Sequence, residues 1–165
     1  MVRGKIEKTA GLLIAAYVLA STLIYAPDWD VVGATANCGI LQRLGYSFFH
    51  ASLLHATINA WCFLSILFLY NVTWWHMSVA YAIAAAAPDF ILSTTPTVGL
   101  SAVCFAMLGM IAFQVKRKTY YHGCMALYIA IGFIFPLVNG WLHFYSYVAG
   151  LLVGFLNMPI PCGRK

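Results

Sequence analysis

Ser101 stands two residues after Gly99 in the stretch VGLSAVCFAMLG, a hydroxyl at the start of an otherwise apolar run. A serine hydroxyl is a weak nucleophile until an adjacent base takes its proton, and the chain carries an imidazole, His143, that can be brought to it. Ser101 follows the Ser93-Thr94-Thr95-Pro96-Thr97 loop by a few residues, and His143 follows the Asn139-Gly140 break by about as many. At about 1.5 Å per helical residue, the two reach similar depths and can meet. A serine at a helix start also leaves backbone N–H groups free. Upstream, HASLLHATIN places His55 and Asn59 four apart, on one helix face. His50 lies five before His55, about 140° away, and suits a brace for the preceding loop. The plainer roles are packing for the serine and interhelical hydrogen bonding for His55 and Asn59.

The elements that must hold these groups follow from composition. The 165 residues are 63% hydrophobic and 8% charged, against roughly 25% charged in soluble domains. No Asp, Glu, Lys or Arg occurs between Leu44 and Pro88. A membrane-spanning helix needs about 20 mostly apolar residues, so that stretch alone accommodates two. The chain is read as an all-α, polytopic membrane protein, a single domain over 1–165. Arg3, Lys5 and Lys8 precede a first span, with no small-residue cleavage site before a soluble domain.

Six spans are expected, near 9–26, 48–70, 72–90, 99–115, 120–138 and 141–157. They are separated by Pro27-Asp28, Asn71, Pro88-Asp89 through Pro96, Lys116-Arg117-Lys118 and Asn139-Gly140. An even count puts both termini and the Lys116–Lys118 loop on one side. All cations but Arg43 then fall there, with Asp28, Asp30 and Asp89 opposite, as expected of cytoplasmic termini. The net charge of +5 is a topology signal, and no solvent-facing basic surface for nucleic acid is expected. Cys38, Cys62, Cys104, Cys124 and Cys162 lack metal or disulfide spacing. Trp29, Trp74, Trp75 and Trp141 fit an aromatic belt, and His76 and His122 an interfacial position.

The last span reads WLHFYSYVAGLLVG. Ser146, Gly150 and Gly154 recur every four residues and form a small-residue stripe that lets helix backbones approach closely. His143 shares that face, seven before Gly150. Gly99, Ala102, Ala106 and Gly109 make the fourth span the suitable partner.

Together, Gly99-Leu100-Ser101-Ala102, the His50, His55 and Asn59 triplet, and His143 in the last span resemble the rhomboid family of intramembrane serine proteases. The motifs fall in family order on the second, fourth and sixth spans, and the resemblance covers nearly the whole chain. It implies a six-transmembrane-helix rhomboid-like bundle. Ser101 would be the nucleophile and His143 its base, a dyad without an acidic third member. His55, Asn59 and the Ser101 N–H would form the oxyanion hole beside Gly99. His50 would support the loop between spans one and two, where Arg43 resembles a basic site of that loop. Phe105 would pack on the catalytic imidazole, with Ser146 and Gly150 as the small positions that follow it.

The activity implied is cleavage of transmembrane-helix substrates near their outer end, within the lipid bilayer and with no metal or organic cofactor. Span five would be the moving element for lateral entry. A minimal bacterial-type form in the cytoplasmic membrane is expected. Metalloprotease His–Glu motifs and paired intramembrane aspartates are absent. The family motif usually carries glycine where Ala102 stands. Its last span usually has glycines three and seven residues after the histidine, where this chain has Ser146 and Gly150. Sliding the alignment by four matches both glycines and puts Tyr147 in the histidine's place, about one turn or 5.4 Å deeper. A catalytically silent rhomboid-like protein that binds transmembrane helices is the alternative. A transporter using His50, His55 and His143 would lack the intramembrane carboxylates such a path needs.

Overall fold

The computed structural model describes residues 4–135 and 138–157. Arg3, Cys162, Arg164, Lys165 and positions 136–137 of the fifth expected span lie outside the described residues. Within them regular structure is helical, as composition implied. The order is α1 (Lys5–Ile24), α2 (Trp29–Val32), α3 (Ile40–Gly45), α4 (Leu53–Leu69), α5 (Trp74–Ala85), α6 (Ser101–Ile111), α7 (Lys118–Ile134) and α8 (Gly140–Leu156). Short 3-10 turns cover Tyr46–Phe48 and Ala112–Gln114. One antiparallel bridge joins Ala34 to Thr97.

Six of these helices fall on the six expected apolar stretches, mostly with tighter bounds. α4 starts at Leu53 rather than 48, because the Ser52 hydroxyl accepts from the His55 N–H at 3.2 Å and caps the helix. His50 therefore lies outside it. α5 stops at Ala85, well short of 90, since Pro88 disfavours helical backbone just before it. The expected break at 27–47 instead holds two short helices. Asp28 caps α2 by accepting from the Asp30 N–H. The Gln42 side chain accepts from the Gly39 N–H and donates to the Asp30 and Gly33 carbonyls, folding the segment on itself.

Among the described residues, α1 is the one single helix long and apolar enough to cross a membrane, with 20 residues. The segments Ile40–Phe48 and Leu53–Leu69 pass that test only as a pair, bent by 86°. Helices Ser101–Gln114 and Gly140–Leu156 are apolar and shorter.

α6 is the central helix. Ala102, Val103, Ala106, Met107 and Ile111 are all buried, and α4, α5 and α8 pack around it. Its most extensive contact is with α8, where small residues let the backbones touch. A Cβ added at Gly154 would stand 2.6 Å from the Met110 carbonyl oxygen. One added at Gly109 would stand 2.6 Å from the Leu151 nitrogen.

The bundle has two chemically distinct ends. At one, Lys8 lies over the Phe68 ring, Lys118 over the Phe113 ring, and Asn71 exchanges hydrogen bonds with Gln114. At the other, the α1–α4 and α5–α6 connections are stapled together. Ala34 and Thr97 exchange two backbone bonds of 2.9 Å, and the Gly99 N–H donates to the Tyr46 carbonyl at 3.0 Å. The Tyr46 hydroxyl donates to the Ala84 carbonyl, and Arg43 bonds both the Ala87 carbonyl and the Asp89 carboxylate. These bonds fix the loop that delivers the chain into Ser101.

Candidate active site

Ser101 is the first residue of α6, so its N–H lacks an intrahelical acceptor. The chain enters through Gly99, whose φ of +117° lies in the region that favours glycine. A second constraint demands glycine there. A Cβ would stand 2.8 Å from His55 Cε1, 2.9 Å from His55 Nε2 and 3.2 Å from Asn59 Nδ2. The backbone just before Ser101 therefore rests directly on the two polar groups of α4. Asn59 is buried and its Nδ2 has no partner among the described residues. The Leu100 N–H donates to His50 Nε2 at 3.2 Å. His50 thus braces the turn before the serine, and its ring meets that of His55 edge-on at 5.0 Å.

α8 supplies the imidazole. Asn139 caps this helix by accepting from the Leu142 N–H at 3.0 Å, while its Nδ2 donates to the Ile91 carbonyl at 3.1 Å. One asparagine therefore starts α8 and ties that start to the α5–α6 connection. His143 follows, buried, with Nε2 2.9 Å from Ser101 Oγ. The Phe105 ring stacks on the imidazole at 4.4 Å and 21° between planes. An unprotonated Nε2 at that distance can take the serine proton. The Ser101 N–H, with donors from His55 and Asn59 on the other side of Gly99, can meet the negative charge that follows.

The structure thus gathers Ser101, His143, Phe105, Gly99, His55, Asn59 and His50 at one end of the bundle. Ser146 is fully buried on α8, and its hydroxyl has no partner among the described residues. Gly150 lies deeper, on the Ala106 backbone. Ala102, where the family motif carries glycine, is fully buried.

Tyr147 is placed elsewhere. Its hydroxyl is 2.6 Å from His122 Nδ1 on α7, so the shifted register puts no base beside Ser101. In any reaction that uses the Ser101–His143 pair, Tyr147→Phe should therefore keep the rate to within a few-fold. The lost hydrogen bond should cost about 1 kcal/mol of stability. Ser101-dependent activity, followed together with thermal unfolding in detergent, tests this, and complete inactivity would favour the shifted register.

Sequence reasoning missed Asn139 as a cap and Asp89 as the partner of Arg43. The first was legible as an Asn standing immediately before an apolar helical run. The second pairs residues 46 apart, and no local pattern reveals it. No protein-family model, curated protein or solved structure matches this chain.

Proposed function

We propose that this protein is a rhomboid-type intramembrane serine endopeptidase, a six-span membrane protein that cleaves transmembrane segments of other proteins with a Ser101–His143 dyad. The observation that carries the reading is the 2.9 Å contact between Ser101 Oγ and His143 Nε2, made by residues 42 apart on two helices. In the proposed reaction His143 takes the Ser101 proton as the oxygen attacks the scissile carbonyl. The tetrahedral oxyanion is held by the Ser101 N–H with His55 and Asn59. His143 then returns the proton to the leaving amine, and water repeats the cycle on the acyl-enzyme.

Two features support the membrane setting. Leu13, Leu54, Trp61, Leu69, Ile134 and Leu156 all stand exposed on helix flanks, an apolar belt that lipid would cover. The basic residues Lys5, Lys8 and Lys116–Lys118 gather at the end away from Ser101, and Asp28, Asp30 and Asp89 belong to the connections at the Ser101 end. That polarity fits cytoplasmic termini and a site near the outer face.

A fluorophosphonate probe tests the reading without knowledge of the substrate. Wild-type protein in detergent should be labelled covalently, and Ser101→Ala should abolish the label. An unlabelled wild type would favour a silent helix-binding protein.

A further inference from the structure

Two sides of the His143 ring are accounted for: Nε2 meets Ser101 and one face meets Phe105. The remaining nitrogen, Nδ1, is buried and has no hydrogen-bond partner among the described residues. This matters once Nε2 takes a proton, because the positive charge is then shared with Nδ1–H. A buried charged donor without an acceptor is far costlier than a neutral one. In a triad a carboxylate accepts from that nitrogen. The four acidic residues of this chain are engaged or placed elsewhere. Asp89 pairs with Arg43, Asp28 caps α2, Asp30 lies within α2, and Glu7 is in the first turn of α1. Ser101 from α6 meets the ring, and among the described residues His55 from α4 is the titratable side chain near it.

Gly132 of α7 lies against Nδ1. A Cβ built on Gly132 would stand 3.3 Å from Nδ1 and 3.2 Å from Gly140 Cα. One built on Gly140 would stand 2.9 Å from the Gly132 carbonyl carbon. The two backbones come this close because both residues are glycine. The Gly132 carbonyl is also chemically marked. Its ordinary helical donor would be the N–H four residues on, and that residue is Pro136, which has none. Among the described residues, the last helical bond of α7 runs from the Phe135 N–H to the Ile131 carbonyl, one residue short of Gly132.

We propose that the Gly132 main-chain carbonyl of α7 accepts a hydrogen bond from His143 Nδ1–H as the imidazolium forms, in place of the carboxylate of a triad. The inference rests on the serine-protease reading and adds a positioning residue to it. Proton balance is simple. Ser101 gives its proton to Nε2 as its oxygen bonds the acyl carbon and the carbonyl electron pair moves onto the oxyanion. Nδ1 keeps its proton throughout, and the Gly132 oxygen only orients and stabilises it. The base is then complete only while α7 lies against the start of α8.

The test compares Gly132→Ala with Gly132→Ser. Alanine places a methyl against Nδ1 and wedges α7 off its seat. Serine adds the same carbon with a hydroxyl that can accept from Nδ1–H. Alanine should lower kcat for a transmembrane substrate, and the fluorophosphonate labelling rate, by about 10–10²-fold, with KM within about twofold of wild type. Serine should recover most of that loss. Equal impairment of both variants, or a wild-type rate in the alanine variant, would overturn the proposal. A measurement on wild-type protein covers poor folding of either variant: in the phosphonate adduct at Ser101, the His143 Nδ1 proton should resonate far downfield, as a charge-assisted hydrogen bond does. No such resonance in a fully labelled sample would refute the acceptor while leaving the protease reading intact. A wild type that neither cleaves nor labels would remove both.

Discussion

His143→Ala is expected to cut the rate of substrate cleavage by at least about 10⁴-fold, with helix content by circular dichroism unchanged. The Ser101 proton then has no acceptor. The other imidazoles at this end are engaged elsewhere: His55 sits against the Gly99 backbone, on the proposed oxyanion side, and His50 accepts from the Leu100 N–H. Loss of fluorophosphonate labelling should accompany loss of cleavage, because both need the same activated oxygen. The stacked face of Phe105 is also uncovered, so some loss of thermal stability is expected alongside. Rates rule on the chemistry and unfolding midpoints on the packing. A variant retaining more than a few per cent of wild-type turnover would take His143 out of the mechanism.

The residues of the candidate site were legible in the sequence because each of its polar groups is conspicuous against apolar neighbours. Ser101, His55, Asn59 and His143 stand out only because a hydroxyl, an amide or an imidazole in such surroundings must find a partner. Depth was readable as well, since helical rise is constant and both Ser101 and His143 follow a break by a few residues. The rotational setting of α8 was not fixed by periodicity. Ser146, Gly150 and Gly154 repeat every four residues, so a shift of one turn preserves the stripe and exchanges His143 for Tyr147. The partners of the two side chains separate the registers, with His143 on Ser101 and Tyr147 on His122.

The fold was legible as all-helical and in the order of its six longer helices, and least so between Pro27 and His50, where two further short helices lie. That segment has no apolar periodicity long enough to declare a helix, and its short elements are held by side-chain bonds from Asp28 and Gln42. Its attachment to the α5–α6 connection runs through Ala34 with Thr97, Tyr46 with Gly99 and Arg43 with Asp89. Each joins residues more than forty apart, a distance at which local pattern carries no information. The role of Gly132 was hidden for a related reason. A glycine inside an apolar helix signals close approach only when the approaching group is known.

Gly150→Val should separate α6 from α8 and remove stability and activity together. Any Cβ at this position would stand 2.8 Å from the Ala106 carbonyl carbon and 2.9 Å from its Cα. Those are backbone atoms of a buried helix, which cannot rotate aside as a long side chain would. Relief requires the helices to part, against the neighbouring close contacts at Gly109 and Gly154. Overpacking of this kind costs about 1–3 kcal/mol and occasionally more. Since α6 carries Ser101 and α8 carries His143, the separation is transmitted to the 2.9 Å contact between them, and a misplacement of about 1 Å can cost about 10²-fold in rate. Thermal unfolding in detergent should show a lowered midpoint, and turnover should fall by about 10²-fold or more. Gly123→Ala on α7 is the matched control: nothing lies within 4 Å of a Cβ there, so only helix propensity changes, and stability should rise by up to about 1 kcal/mol. A Gly150→Val protein with wild-type midpoint and turnover would mean that the α6–α8 contact does not set the distance between the serine and the histidine.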